Sequence, residues 1–356
     1  MDGERRMRRK TKFYRGIMAV LAAVLLTGCG GRTEKSVKSI KIGVTVYDQY
    51  DTFISQMMSM FTAFASRKEE ETGIAINLEI MDASGSQATQ NEQVRTLLEK
   101  KCDVICVNLV DRTEPTTITD MAEKNEVPIV FFNRELVAED LERWDQLYYV
   151  GADAFQSGIM QGELAADAFK SDPSLDKNGD GVFQYIVLEG EAGHQDAIVR
   201  TEYAINTLME QGVEVEKLGY AIANWKRAQA QTKITSMLAQ YGDQIELIVA
   251  NNDDMALGAI DALKAEEIPR EDWPAVFGID GTDVGLAAVK NGDMIATVYN
   301  DKEGQALEML NLVYALAVGS GLEEIPLEDG KYIRLPYSKV TRDSVGQYLE
   351  EKAKKD

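Results

Sequence analysis

The feature that most constrains the fold of this chain is a regular alternation of short apolar runs with longer segments of helical period, beginning at Ser39. The first round predicts strands and helices in turn over residues 40–47, 53–72, 74–81, 87–100, 104–110, 116–125 and 128–133. The second round covers 148–151, 154–169, 183–189, 197–211, 214–222, 229–241, 245–250 and 254–265, with later strands at 275–279, 296–299 and 332–335. Strands and helices taking turns are typical of a parallel sheet covered on both faces. Two such rounds predict an α/β protein with two lobes and a ligand cleft between them.

Polar or aromatic side chains follow nearly every predicted strand, where open α/β sheets bind their ligands. These residues are Asp51, Phe53, Asn108, His194, Asp196, Arg200, Trp225, Asn252, Asp280 and Asn300. Carboxylate and amide oxygens accept hydrogen bonds from sugar hydroxyls, Asn, His and Arg donate them, and aromatic rings pack against the C–H faces of a pyranose. Each residue alone is equally typical of a turn or a helix cap. Their recurrence at seven strand ends favours an uncharged sugar as the ligand.

A second motif lies between residues 176 and 184. The oxygen-bearing side chains at positions 1, 3, 5 and 9 of a calcium-binding loop are here Asp176, Asn178, Asp180 and Gln184. Gly181 stands at the turn position, and Val182 offers its backbone carbonyl at position 7. Val187 replaces the acid expected at position 12, so the motif is incomplete by itself. A solvated turn of Asp, Asn and Gly is the alternative interpretation.

The N-terminal segment has the layout of a secretory signal. Residues 1–16 carry seven basic and two acidic residues, and the apolar run at 17–26 is too short for a stable membrane-spanning helix. The run ends in Leu26-Thr27-Gly28-Cys29, which resembles the bacterial lipoprotein box. An ordinary cleaved signal beside a chance cysteine is the alternative. We expect a signal peptide over 1–28, lipid attachment at Cys29, a polar tether over 29–38 and a location at the cell surface.

Charge and cysteine content exclude several classes of protein. Without residues 1–28 the chain keeps 31 basic and 57 acidic residues, which excludes nucleic acid as a partner and disfavours an anionic ligand. Cys102 and Cys106 lie four residues apart on one predicted strand, too far for a disulfide. We expect both to be small buried apolar residues.

The strand-end residues and their neighbours resemble the galactose/glucose-binding members of the type I periplasmic-binding-protein superfamily. Matching stretches lie at 42–47, 108–111, 130–133, 148–151, 250–253 and 276–280, so the resemblance covers nearly the whole chain after the signal. It implies two doubly wound parallel-sheet lobes joined by a hinge that the chain crosses three times, near 133–135, 300–301 and 333–336. The first lobe is then expected at 39–133 plus 301–332, and the second at 134–300 plus 333–356.

The resemblance also implies roles for single residues. Phe53 and Trp225 would hold the two faces of glucose or galactose, and Asp51 would meet the hydroxyl at sugar position 4. The polar shell would comprise Asp51, Asn108, His194, Asp196, Arg200, Asn252, Asp280 and Asn300. A structural calcium ion would be held by Asp176, Asn178, Asp180, the carbonyl of Val182, Gln184 and Glu246, the last from a distant strand. Gln195 departs from the family, in which proline is usual at this position.

We therefore expect a monomeric receptor that captures a hexose and delivers it to an ABC permease in the membrane. Presentation of the sugar to a chemoreceptor is the alternative. Sugar-sensing repressors share the two-lobed core, but the predicted signal occupies the place of their DNA-binding region. An enzyme is the third class, with His194 beside Asp196 as a candidate base. No Gly-x-Ser-x-Gly elbow, phosphate loop or reactive cysteine accompanies this pair, so we expect no enzymatic activity.

Overall fold

The predicted strands and helices are confirmed in this computed structural model, which describes residues 38–353 of the chain, with side chains as far as residue 350. The structure adds elements that were not predicted from the sequence, among them those at 283–291, 302–318, 337–341 and 345–353. The predicted signal peptide, Cys29 and the tether up to residue 37 lie outside the described residues. Within residues 38–353, no helix is both long enough and apolar enough to cross a membrane.

The described chain contains twelve strands and eleven α-helices. The strands are β1 (Ser39–Val46), β2 (Ala75–Asp82), β3 (Val104–Val107), β4 (Ile129–Phe132), β5 (Leu147–Ala152), β6 (Val182–Glu189), β7 (Glu214–Ile222), β8 (Leu247–Ala250), β9 (Ala275–Asp280), β10 (Ala296–Asn300), β11 (Tyr332–Leu335) and β12 (Tyr337–Thr341). The helices are α1 (Thr52–Thr72), α2 (Gln87–Glu99), α3 (Thr116–Asn125), α4 (Ala138–Leu141), α5 (Ala154–Ser171), α6 (Gln195–Glu210), α7 (Arg227–Tyr241), α8 (Asp253–Ala265), α9 (Asp283–Asn291), α10 (Lys302–Val318) and α11 (Val345–Ala353). Short 3₁₀ turns lie at Pro173–Leu175, Gly242–Gln244 and Arg270–Asp272.

The strands form two six-stranded sheets, one in each lobe. The first has the order β11-β5-β4-β3-β1-β2 and is parallel throughout. The second has the order β12-β10-β9-β8-β6-β7 and is parallel except for β12, which runs antiparallel to β10. Strands β3, β4 and β8 are buried along their whole length, as expected for central strands covered by helices on both faces. The predicted fold class, two α/β lobes with parallel sheets, is confirmed.

The first crossing between the lobes lies later in the chain than predicted. Strand β5 pairs with β4 from Ile129↔Leu147 to Phe132↔Val150 and therefore belongs to the first sheet. The chain crosses between β5 and α5, so residues 134–152 are part of the first lobe and the predicted boundary at residue 133 is corrected. A buried apolar strand has the same residue pattern in either sheet, so the sequence of 148–151 does not indicate which sheet it joins.

The other two crossings lie close to their predicted positions. The chain passes from β10 to α10 at Asp301, and α10 packs against α1 and the first sheet. It returns at Pro336, between β11 and β12. Because β11 pairs with β5, from Tyr332↔Tyr149 to Leu335↔Ala152, residues 333–335 also move to the first lobe. The first lobe comprises 39–152 and 302–335, and the second 154–300 and 337–353.

The two cysteines of the described residues agree with their predicted role. Cys102 and Cys106 are buried and form no disulfide. Burial raises the pKa of the Cys102 thiol to about 11 and raises that of Cys106 as well, so neither is a reactive thiolate.

Candidate ligand-binding site

A cavity lies between the two lobes, where the carboxyl ends of their strands face each other. Its wall consists of Tyr47, Asp51, Phe53, Asn133 and Arg134 from the first lobe and His194, Asp196, Arg200, Trp225, Asn252 and Asp280 from the second. All the predicted sugar-binding residues except Asn108 and Asn300 therefore meet at one place. Both lobes contribute residues to the wall, so the wall is complete only when the two lobes are close together.

Three residues of the wall also cap helices. Asp51 caps α1 and Asn252 caps α8, each accepting a backbone N–H bond of 2.9 Å through Oδ1. His194 caps α6 through Nδ1, which accepts a backbone N–H bond of 3.1 Å. Each cap occupies one side-chain atom, which leaves Nε2 of His194 and Nδ2 of Asn252 for a ligand. The second oxygen of Asp51 accepts from the Tyr47 hydroxyl and has a further lone pair for a ligand. The cap and the ligand contact are therefore compatible in one residue.

His194 is a neutral hydrogen-bond donor in this cavity. Because Nδ1 accepts from the backbone N–H of Asp196, the ring proton is assigned to Nε2. Burial lowers the pKa of His194 well below its usual value, and the guanidinium groups of Arg134 and Arg200 lower it further. The ring packs edge-on against Trp225, with centroids 5.1 Å apart. A neutral donor at this place suits an uncharged ligand.

Arg200 is fixed by the second lobe before any ligand arrives. Its side chain is only 4% exposed. The guanidinium donates to Ser157 Oγ at 3.2 Å, to the carbonyl of Asn251 at 3.0 Å and to the hydroxyl of Tyr337 at 3.0 Å. These bonds satisfy one side of the group and hold its remaining edge toward the acidic residues of the wall.

Two buried carboxylates lie against that guanidinium. Asp196 Oδ2 is 3.3 Å from Arg200 Nη2, and Asp280 Oδ1 is 3.8 Å from Arg200 Nη1. Burial raises the pKa of both carboxyls, and Arg200 offsets part of that rise. Asp280 has a φ of 113°, a backbone conformation that residues other than glycine rarely adopt. Such strain is typical of binding sites whose surroundings hold one residue in place.

The two aromatic residues of the wall, Phe53 and Trp225, come from opposite lobes and are both buried. Phe53 is the second residue of α1. Trp225 follows β7 with a φ of 62°. A Cβ at Gly190 would lie 2.2 Å from the indole ring, so the position of Trp225 requires glycine there. Each lobe therefore presents one apolar face to the cavity.

Three residues of the wall were not predicted from the sequence, namely Tyr47, Asn133 and Arg134. Asn133 and Arg134 directly follow β4, and the strand-end rule selects them once that strand is ended at Phe132 instead of residue 133. Arg134 lies over the ring of Tyr47 at 3.7 Å, and the Tyr47 hydroxyl donates to Asp51 Oδ2 at 2.6 Å. These side chains complete the first-lobe side of the wall.

Asn108 and Asn300 are buried and are not among the residues that line the cavity. Asn108 is fully buried, accepts from the backbone N–H of Tyr47 at 3.3 Å and donates to Asn133 Oδ1 at 3.1 Å. It therefore positions two residues of the wall. Asn300 is the last residue of β10, and its Oδ1 accepts from Gln305 Nε2 at 2.6 Å. Both fit the strand-end pattern, but neighbouring protein groups bond to both polar atoms of Asn108 and to the side-chain oxygen of Asn300.

The predicted calcium loop precedes β6, and Glu246 lies against it. Glu246 comes just before β8, which pairs with β6, so the sheet brings this distant residue to the loop. Its carboxylate accepts the backbone N–H of Lys177 at 2.6 Å and of Gln184 at 3.3 Å. Glu246 is only 1% exposed. Burial raises the pKa of its carboxyl, and the negative charge of Asp176 adds to this rise.

The loop side chains also bind backbone N–H groups of the loop itself. Asp176, Asn178 and Asp180 each accept one at 2.8 Å. The candidate donors are carboxylate, amide and carbonyl oxygens, the set that Ca²⁺ prefers. Within the part of the chain that the structure describes, no group of three or more His, Cys, Asp or Glu side chains is arranged to hold a metal ion. A calcium ion here would therefore depend on the amide and carbonyl oxygens as much as on the acids. Its charge would offset the buried carboxylate of Glu246.

Comparison with known proteins gives a consistent result. Residues 42–321 match the family described as periplasmic binding protein domain. The chain is 35% identical to the D-galactose/methyl-galactoside binding periplasmic protein MglB of Haemophilus influenzae, over 93% of this chain and 99% of that protein. It is 30% identical to the xylitol-binding protein of Mycolicibacterium smegmatis, over 94% of this chain and 87% of that protein.

Solved structures agree in fold. An ABC transporter solute binding protein from Bacillus halodurans C-125, with bound myo-inositol, has a TM-score of 0.74 and 27% identity. The match covers 89% of this chain and 99% of that one. Its two lobes and those of this chain therefore share one architecture over nearly their whole length.

Proposed function

Because this chain belongs to the periplasmic binding protein domain family, we propose that it is the extracytoplasmic receptor of an ABC transporter for a hexose, D-galactose or D-glucose. The observation that carries this proposal is the interlobe cavity. Its wall combines an aromatic ring from each lobe with carboxylates, amides and guanidinium groups. Members of this family are binding proteins and not enzymes, as expected from the sequence.

The charge and hydrogen-bonding capacity of the wall support a neutral polyol as the ligand. It carries three carboxylates, Asp51, Asp196 and Asp280, and two guanidinium groups, Arg134 and Arg200. His194 is neutral. Little net charge remains to attract an ion, while acceptors and donors are both plentiful. Each sugar hydroxyl can donate to a carboxylate and accept from an N–H group at the same time. Bonds with one charged partner contribute about 1.5–3 kcal/mol each.

The relatives support a hexose within this class. One named relative binds D-galactose and methyl-galactoside, another binds xylitol, and a structural relative holds myo-inositol. All of these are uncharged polyhydroxy compounds. The relative with the highest identity of the three is the galactoside binder. The two aromatic rings, one from each lobe, suit the two C–H faces of a pyranose.

A structural calcium ion belongs to the same proposal. Asp176, Asn178, Asp180, the carbonyl of Val182, Gln184 and Glu246 would hold it. The ion would neutralise the acids of the loop and tie the segment before β6 to the edge of β8. It lies outside the residues of the cavity wall, so its expected effect is on stability.

The N-terminal segment supports secretion and attachment to the membrane surface. A basic start, a short apolar run and the sequence Leu26-Thr27-Gly28-Cys29 together favour lipid attachment at Cys29 and a receptor held beside its permease. We expect the receptor to be a monomer.

Replacement of Cys29 by serine should release the protein from the membrane fraction of the producing cell. Retention of the Cys29→Ser protein in that fraction would contradict the lipid anchor.

Calorimetric titration with a panel of sugars tests the proposed ligand. With calcium present, we expect one molecule of D-galactose or D-glucose to bind each protein with a Kd of about 1 μM or lower, equivalent to about −8 kcal/mol. D-Ribose, xylitol and myo-inositol serve as comparison ligands. Binding of one of these with no binding of either hexose would overturn the hexose assignment. Absence of binding throughout the panel would overturn the sugar receptor itself.

A further inference from the structure

The two lobes are joined by polar pairs that lie mostly outside the cavity wall. Away from the crossing at residue 301, the pairs are Asp48–Lys226, Arg134–Glu191 and Thr52–Asp254, with the first-lobe residue named first. Of these six residues only Arg134 belongs to the wall of the cavity. The other five join the lobes without lining the cavity.

The Asp48–Lys226 pair joins the segment before α1 to the residue that precedes α7. Lys226 Nζ bonds to Asp48 Oδ2. The side chains are 20% exposed at Asp48 and 39% exposed at Lys226, so the pair remains open to solvent ions. Lys226 directly follows Trp225, which places this contact beside the aromatic face of the second lobe.

In the Arg134–Glu191 pair, contacts within the first lobe hold Arg134 in position. Arg134 is 3% exposed, donates to the carbonyl of Val110 at 2.6 Å and lies over the ring of Tyr47. A guanidinium held in this way loses little freedom when it meets a partner. Glu191, on the loop after β6, reaches it from the second lobe at 2.8 Å and is 42% exposed.

We propose that Asp48–Lys226 and Arg134–Glu191 form an electrostatic latch that favours the closed state and thereby sets the affinity for an uncharged sugar. This inference rests on the proposed function. The apparent Kd equals the intrinsic Kd divided by the fraction of molecules that are competent to bind. Contacts made only between closed lobes raise that fraction, so they strengthen binding without touching the ligand.

The latch makes sugar binding depend on ionic strength although the sugar carries no charge. The Debye length is about 10 Å at 0.1 M salt and about 3 Å at 1 M, so added salt weakens partly exposed pairs. The net charge of the protein predicts the opposite effect of salt on the affinity. The chain has 59 acidic and 38 basic residues, and screening of repulsion between acidic lobes would tighten binding. The direction of the salt effect therefore separates the two causes.

Isosteric variants test the latch. We expect Asp48→Asn and Glu191→Gln each to raise the Kd for the bound hexose about two- to fivefold at low salt, the range typical of exposed ion pairs. The double variant should bind more weakly still and lose the salt dependence. Exchanging the charges in Asp48→Lys/Lys226→Asp should restore part of the affinity. Titrations of the full protein at 0.02 and 0.5 M NaCl, with saturating calcium, supply these values.

Asp261→Asn is the matched control. It removes the ion pair with Arg227, which lies within the second lobe and one residue from Lys226, and should leave the Kd unchanged. A wild-type Kd that stays constant or falls with salt would overturn the latch, as would unaltered binding by Asp48→Asn and Glu191→Gln. In that case normal sugar binding would leave the proposed function intact. Failure of the wild-type protein to bind any hexose would overturn both.

Discussion

At the scale of single residues, the cavity is built from side chains that serve the fold and the ligand together. Asp51, His194 and Asn252 cap helices with one atom and line the cavity with the rest of the side chain. This is why the strand-end pattern could predict them, although a cap was an equally good explanation for each. Asn108 is an asparagine after a strand, as Asn252 is, but its side chain bonds to Asn133 and does not line the cavity. Whether such a side chain lines the cavity or bonds to the protein depends on the neighbouring strand, which the local sequence pattern does not identify.

Trp225→Ala should remove the aromatic face contributed by the second lobe. We expect the hexose Kd to rise about 30-fold or more, because a buried aromatic anchor is worth at least about 2 kcal/mol in binding. Calorimetric titration measures the loss, and thermal unfolding should remain cooperative. Trp273→Ala is the matched control, since Trp273 packs against Arg270 outside the cavity. Undiminished affinity in Trp225→Ala would rule out stacking on this ring.

Hexose binding should weaken at acid pH because the carboxyl group of Asp280 becomes protonated. Burial raises the pKa of its carboxyl well above the usual value, and Arg200 only partly offsets this. The ionised carboxylate accepts from hydroxyls, whereas protonation turns one oxygen into a donor. Because the pKa of Asp280 is raised, the Kd should already rise in the pH range between neutrality and the ordinary pKa of Asp, about 3.9.

Titrations across this range with wild type and Asp280→Asn test the assignment. The variant should bind more weakly at pH 7 and show a flatter profile on the acid side. A wild-type Kd that is constant down to about pH 4.5, near the range of an ordinary Asp, would contradict the role of Asp280 as an ionised acceptor.

At the scale of elements, periodicity predicted most strands and helices but could not assign every strand to its sheet. Strand β5 follows a short connection after β4 and extends the first sheet, whereas the sequence pattern placed it in the second lobe. The adjacent β11 and β12 join different sheets although Pro336 alone separates them. Strand pairing is a long-range property, and a run of four or five apolar residues carries no information about its partner.

The calcium loop is an element whose predicted role can be tested by stability. In the presence of calcium, we expect Glu246→Gln to lower the melting temperature by about 5 °C or more, because a metal at 100 times its Kd contributes about 2.7 kcal/mol. In chelator the variant should melt closer to wild type than it does in calcium, because the contribution of the metal is then absent from both proteins. Scanning calorimetry measures both conditions.

Glu163→Gln provides the control for this comparison. Glu163 is a partly exposed acid of the second lobe that pairs with Lys339 at 2.9 Å, away from the loop. It should show the same calcium response as wild type. Identical melting of the wild-type protein in calcium and in chelator would be evidence against the metal site.

At the scale of the whole molecule, function depends on two lobes that the chain builds from interleaved segments. Residues of the wall come from both, and a ligand can contact them all only when the lobes are closed. The sequence predicted this arrangement because the strand ends of each round carry complementary groups. The sequence did not predict the contacts of the latch. Nothing in the local sequence distinguishes Asp48, Glu191 and Lys226 from other charged loop residues.

A crystal structure grown with D-galactose and, separately, with D-glucose tests the central claim most directly. We predict one pyranose in the interlobe cavity, its two faces against Phe53 and Trp225 and its hydroxyls within hydrogen-bond distance of Asp51, Arg200 and Asp280. The Arg134–Glu191 and Asp48–Lys226 pairs should both be formed in that complex. Crystals of either complex in which the cavity holds only water, or in which the sugar lies elsewhere on the protein, would contradict the account.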